Sequence, residues 1–282
     1  MLGGAVGGLL AAWMTTAAWA TVPTIHCTGH IGPGKITGNV VAGPGCVLEG
    51  ETTIEGNLTV KPGGSVEAFG EFSLHQITGN LISYEASAIE LAETHVGGRV
   101  HITRTHGTVL LRFGAVTGPV VIEYGSGAVR VDRTFVGGNL RIYHNASHEN
   151  SERSRPEGEV VVTPRSVGGS VEVTHNSLTG TEGDILEVGG ASVGGTLRVA
   201  GNLLEAEPPQ PPSPIRVHLS TFGNEVAGSM ELLRNTLLDG EYVQFAVEGN
   251  TVTNTLLCRR NSPTPTGGSN TAASKQGQCE TL

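Results

Sequence analysis

Apolar and polar residues alternate in short runs along this chain, and the runs repeat. The unit is V/I-x-G-x-V/L-x-V/I. It begins at Ile36 (ITGNVVA), Ile54 (IEGNLTV), Ile77 (ITGNLIS), Val96 (VGGRVHI), Val116 (VTGPVVI) and Val136 (VGGNLRI). It continues at Val167 (VGGSVEV), Val193 (VGGTLRV) and Val226 (VAGSMEL), and a degraded copy at Val252 (VTNTLLC) carries Asn254 in place of the glycine. Alternation at period two is the pattern of a β-strand with one buried face. A second apolar pair follows several copies: Ile89 and Leu91, Val109 and Leu111, Val129 and Val131. Helical periodicity is not sustained anywhere. Two or three short strands per ~20 residues, joined by Gly-rich corners, describe one coil of a parallel β-solenoid. A β-sandwich also has many short strands, but it has no need of one motif ten times over. The pattern predicts an all-β, single-domain, right-handed parallel β-helix of about ten coils spanning 21–282. Val100, Val120, Leu140, Val171, Leu197 and Met230 share one place in the repeat and are expected to form a continuous inward column. The glycines are expected to supply tight corners and positive φ.

Fixed offsets from the motif start define further columns. Nine residues on stand Asn145, Asn176, Asn202, Asn235 and Asn261. Asparagine tolerates left-handed backbone and bonds neighbouring peptides, so these five are expected to form a structural ladder at a repeated turn. Five residues on, the chain reads Arg141, Glu172, Arg198, Glu231, an alternation of charge that supports register. Eight residues on, His144 and His175 are expected to stack, with Arg234 and Arg260 holding that place later. The extra residues of the longer repeats enter after the Asn column, at 146–166, 177–192, 203–225 and 236–251. Insertions of this kind map to loops on one side of a solenoid, often the binding side. Glu149, Glu152, Arg153 and Arg155 in the first, and the Pro-rich stretch from Pro208 to Pro214 in the third, make these loops irregular.

Composition narrows the class. The chain has 282 residues, 42 of them Gly, and a net charge of -9, which argues against nucleic acid as a partner. Residues 1–20 are uncharged and end in Ala18-Trp19-Ala20, which reads as a cleaved secretory leader holding Trp13 and Trp19. No later segment could cross a bilayer, so the product is expected to be extracellular, released or loosely held at a cell wall. The cysteines agree. Cys27 and Cys46 are 19 apart and Cys258 and Cys279 are 21 apart, close to one coil. With no close pair for a zinc site, two disulfides, Cys27–Cys46 and Cys258–Cys279, are expected at the two ends. Stacking would set Cys46 roughly above Cys27.

The tail reads Cys258-Arg-Arg-Asn261-Ser-Pro263-Thr-Pro265-Thr-Gly267-Gly268-Ser-Asn270, then Lys275-Gln-Gly277-Gln278-Cys279. With the upstream V-x-G-N-L-x-V copies it resembles a group of uncharacterised secreted bacterial proteins of actinobacterial type. In these, C-x2-N-x-P-x-P-T-G-G-x-N closes a Gly-rich parallel β-helix. The resemblance implies export and a right-handed β-helix, and it implies no activity. That group carries glycine where Asn254 stands, so a distorted last coil is expected.

Chemistry is sparse. Parallel β-helices host polysaccharide lyases and hydrolases, which cluster carboxylates with basic residues on one face. Here the three aspartates, Asp132, Asp184 and Asp239, lie in different coil regions. Glycoside hydrolysis needs two carboxylates at fixed separation. No hydrolase, metalloprotease or phosphate-binding motif is present, and His144 with His175 lacks a third metal ligand. No catalytic, cofactor-binding or metal residue is assigned, and no cofactor is expected. The reading is a secreted, non-enzymatic structural or surface-interaction protein, binding a cell-surface glycan or protein through the insertion edge. The alternative is a carbohydrate-active β-helix enzyme.

Overall fold

A computed structural model describes residues 22–69, 73–148, 159–180, 184–206, 216–238 and 242–282. The expected leader at 1–20, and the insertion stretches around Glu149–Arg155 and Pro208–Pro214, lie outside the described residues. The fold is an all-β parallel solenoid, with no helix among the described residues.

Each motif copy straddles a corner. From Ile77 to Val226 its first apolar residue ends a strand of one column, the glycine turns the corner, and the last three residues belong to a strand of the next. In the first column Thr94–Val96 pairs with Ala115–Val116, which pairs with Phe135–Val136. In the second, Val100–Thr103 pairs with Val120–Glu123 and then with Leu140–Tyr143. The second apolar pairs build a third, 11-stranded sheet through Ala88–Ala92, Val109–Arg112 and Val129–Asp132. Thr251–Arg259 and Thr271–Gly277 run through both first and second columns and so join them into one 21-stranded sheet.

Period-two alternation sends every second side chain into the lumen. Val100, Val120, Leu140, Val171, Leu197 and Met230 are register partners in turn, and all are buried. Burying a Val or Leu side chain fully stabilises by about 1.5–3 kcal/mol. A slip of one residue would turn the whole set outward, so this column fixes register.

Two expectations about the corners need correction. Only Gly38 of the motif glycines has positive φ, and the others are required by close approach. A Cβ on Gly79 would lie 2.6 Å from the Gly56 carbonyl oxygen, and one on Gly228 would lie 2.7 Å from that of Gly195. Left-handed backbone falls instead on the eighth offset, at Arg104, Tyr124, His144, His175, Arg234 and Arg260, with φ of 54 to 57°. The insertions, likewise, are not loops throughout. Ala146–His148, Ser177–Gly180, Leu203–Ala206 and Thr236–Leu238 pair in parallel as a fourth, four-stranded sheet. The third-sheet strands lengthen to Asp184–Gly189, Arg216–Phe222 and Tyr242–Glu248. The cause is apolar alternation carried past the end of the motif: Leu178, Leu204 and Leu237 are buried, as are Val217, Leu219, Phe245 and Val247.

Disulfides close both ends, Cys27–Cys46 with Cα atoms 5.3 Å apart and Cys258–Cys279 at 5.1 Å. Cys46 does not stack on Cys27. The register partner of Cys27 is Ala42, and Cys46 opens the third-sheet strand Cys46–Leu48. The bridge therefore ties the end of a second-column strand to the next face one coil on. Cys258 likewise pairs with Gly277, two residues short of Cys279. Two disulfides fit an oxidising compartment. No helix among the described residues is long and apolar enough to cross a membrane. The strand holding Asn254 shows a register shift between Val252 and Thr255. Here a single long strand passes the corner that glycine makes elsewhere.

Candidate functional site

The second corner positions most of the chemistry. Its inner side is the Asn ladder. Asn176 Nδ2 donates to Asn202 Oδ1 at 2.9 Å and to the Ile142 carbonyl at 3.2 Å, and its backbone N–H donates to the same Asn202 oxygen. The pattern runs from Asn145 through Asn176, Asn202 and Asn235 to Asn261, whose amide and backbone N–H both donate to Gln278. All five asparagines are buried and bonded, so the row is a structural element with nothing left to offer a ligand.

A second ladder, Asn224 to Asn250 to Asn270, caps the third-sheet corner, its first two members two residues before the motif starts Val226 and Val252. A third, Asn39 to Asn57 to Asn80, sits at the motif corner itself. Both have fixed offsets in the sequence, which was the available signal for them.

The outer side of the second corner is an exposed ridge, one residue per coil. Tyr124 stacks on His144 with ring centroids 5.2 Å apart, and His144 stacks on His175 at 5.3 Å. Beside them Glu123 accepts from Thr103 and Tyr143 and lies 2.9 Å from the His101 ring. Burial alone would raise the Glu123 carboxyl, but these hydrogen bonds outweigh it and hold it below the usual range. The same bond to Glu123, aided by burial, pushes Tyr143 up to about 12. The network keeps a charged Glu and a neutral Tyr in place at neutral pH.

Past His175 the ridge changes character. The next coil has Gly201, and the two after it have Arg234 and Arg260. With no side chain at Gly201, a cleft of about 400 Å³ opens between the His175 ring and the arginines. Arg198 and Arg259 also line it, and among the described residues no carboxylate does. Arg198 reaches Glu231 at 3.8 Å.

A wider groove of about 680 Å³ lies on the outer face of the third sheet. It gathers Glu90, Asp132, Glu159 and Glu187 with Arg112 and Arg130, a cluster the sequence reading left dispersed. Asp132 is 3.2 Å from Arg112 and accepts from Thr163, and Glu159 is paired with Arg130. These are ion pairs between neighbouring strands, of the kind the fifth-offset column also makes: Arg141 lies 2.9 Å from Glu172. No group of three or more potential metal ligands occurs among the described residues.

Comparison with known proteins adds no relative: no family model, no curated protein and no solved structure matches the chain.

Proposed function

We propose that the chain is an exported, non-enzymatic structural or surface-interaction solenoid that binds a cell-surface glycan or protein on its insertion-bearing side. The observation that carries this reading is the fourth sheet. Four successive coils extend the same side with paired strands, from Ala146–His148 to Thr236–Leu238, beside the hydrogen-bonded Asn145–Asn261 ladder. Recognition tends to sit on segments that a rigid scaffold holds out. The disulfides support export, since they are stable in oxidising surroundings.

The third-sheet groove favours a second reading, a carbohydrate-active enzyme, because Asp132 and Glu159 share it. Their pairing with arginine weighs against free acid–base roles. A glycan-array and polysaccharide-turnover screen on the mature protein separates the two. Binding without turnover supports the interaction reading. Turnover that is lost in both Asp132→Asn and Glu159→Gln supports the enzyme.

A further inference from the structure

We propose that the cleft bounded by His175, Arg198, Arg234, Arg259 and Arg260 binds an acidic glycan, a saccharide chain bearing carboxylate, sulfate or phosphate groups. The inference rests on the surface-interaction reading and gives it a ligand class and a site.

Charge is the first argument. The chain carries a net charge of -9, and several arginines elsewhere on its surface are held by carboxylates, Arg112 by Asp132, Arg130 by Glu159 and Arg141 by Glu172, while Arg99 and Arg165 stand singly without an ion pair among the described residues. Arg234, Arg259 and Arg260 are exposed and make no ion pair among the described residues. Three guanidinium groups without an ion pair, lining a cleft that has no carboxylate among the described residues, form a local positive potential. Guanidinium presents a planar fork of donors that matches carboxylate, sulfate and phosphate oxygens.

Shape is the second. His175 N–H bonds to the Ala200 carbonyl, Gly201 N–H to that of Leu233, and Arg234 N–H to that of Arg259, so the corner residues succeed one another coil by coil. The His175 ring leans over Gly201, its Cδ2 3.0 Å from where a Cβ there would stand, and the cleft opens beyond the ring toward Arg234. Its volume of about 400 Å³ has room for one sugar ring. The His175 ring, backed by His144, gives a flat wall at one end, and Arg234 and Arg260 continue as a row along the stack. A flat ring beside a row of cations fits a sugar polymer with spaced anionic groups. A nucleic-acid duplex wants a broad basic face, and the acidic remainder of this surface would repel it. The cleft also adjoins the proposed binding side, since Arg234 directly precedes Asn235 and the fourth-sheet strand Thr236–Leu238.

The test measures binding of the mature protein to immobilised polygalacturonate, a sulfated glycan, a polyol phosphate, neutral dextran and a DNA duplex, at low and high salt. Variants R234Q/R260Q and R259Q are compared with R99Q, an exposed arginine outside the cleft, after far-UV circular dichroism and melting show intact folds. R259Q alters no left-handed residue and keeps the test open if the double variant misfolds. We expect at least one acidic glycan to bind and dextran to fail. Affinity should fall with salt, weaken by roughly tenfold or more in the cleft variants, and be unchanged in R99Q. Which acidic polymer binds identifies the anionic group. The inference is overturned if none of the acidic glycans binds at about 50 mM salt, if the folded cleft variants bind as wild type does, or if DNA binds more tightly than every glycan. Cell-wall binding that survives R234Q/R260Q and R259Q overturns this site while leaving the broader interaction reading standing.

Discussion

Asn176 and Asn202, 26 residues apart in sequence, are joined by two hydrogen bonds to one oxygen: the Asn176 side-chain amide and its backbone N–H both donate to Asn202 Oδ1. Asn202 repeats the arrangement toward Asn235. Each ladder residue thus holds together two coils and a carbonyl of the coil before.

Removing one member should therefore cost more than an isolated hydrogen bond. Asn202→Ala strands the Asn176 N–H and the Val173 carbonyl and leaves a small void. We expect a loss of about 2–4 kcal/mol, read by chemical denaturation. Thr105 provides the contrast, since it holds the same offset in an earlier coil and its buried hydroxyl has no partner among the described residues. Thr105→Val should be neutral or slightly stabilising. Equal losses in the two variants would refute the account of the ladder.

The motif glycines are expected to resist even the smallest side chain. A Cβ on Gly118 would lie 2.9 Å from the Gly98 carbonyl oxygen, and that neighbour is backbone. Gly118→Ala should destabilise by about 1–3 kcal/mol. Gly268, with open space where its Cβ would stand, should accept alanine with little change. Thermal melts of the two variants make the comparison.

His75 gives a pH dependence. Its side chain is fully buried and neither ring nitrogen has a partner among the described residues. Burial holds its pKa below the usual value, with the Glu93 carboxylate opposing in part. The unfolded chain titrates near ~6.5, so on acidification it takes up the proton before the folded chain does. Stability is full above that value and declines as pH falls from there toward the lowered folded pKa. His75→Leu removes the titrating group. Its melting temperature should drop less between pH 7 and pH 5 than that of wild type. Parallel curves would contradict the reading.

Much of this fold was legible from spacing alone. The column from Val100 to Met230 followed from a shared place in the motif, because a strand's two-residue period leaves no freedom in which side chains face inward. The Asn145–Asn261 row and the stacked His144 and His175 followed from constant offsets. The reading went astray where one rule covered two physical causes. Gly79 and Gly228 looked like residues needed for positive φ, but contact with the coil below excludes a side chain there. Leu178 and Leu204 looked like loop residues because the motif had ended, although the alternation had not. The basic cleft was hidden for another reason. Arg198, Arg234 and Arg259 occupy three different offsets, and only the coil register, with the missing side chain at Gly201, brings them to one place.

The proposed role turns on whether recognition resides on the insertion-bearing side. The most direct measurement replaces 149–158 and 207–215 with short Gly-Ser turns, sparing the paired strands that flank them. Binding to cell walls of the producing organism and to candidate glycans is then compared with wild type, after circular dichroism and melting confirm the stack. The account predicts that binding falls while the fold persists. Full binding with both segments gone would contradict it and leave the His175–Arg260 cleft or the regular strand faces as the place of recognition.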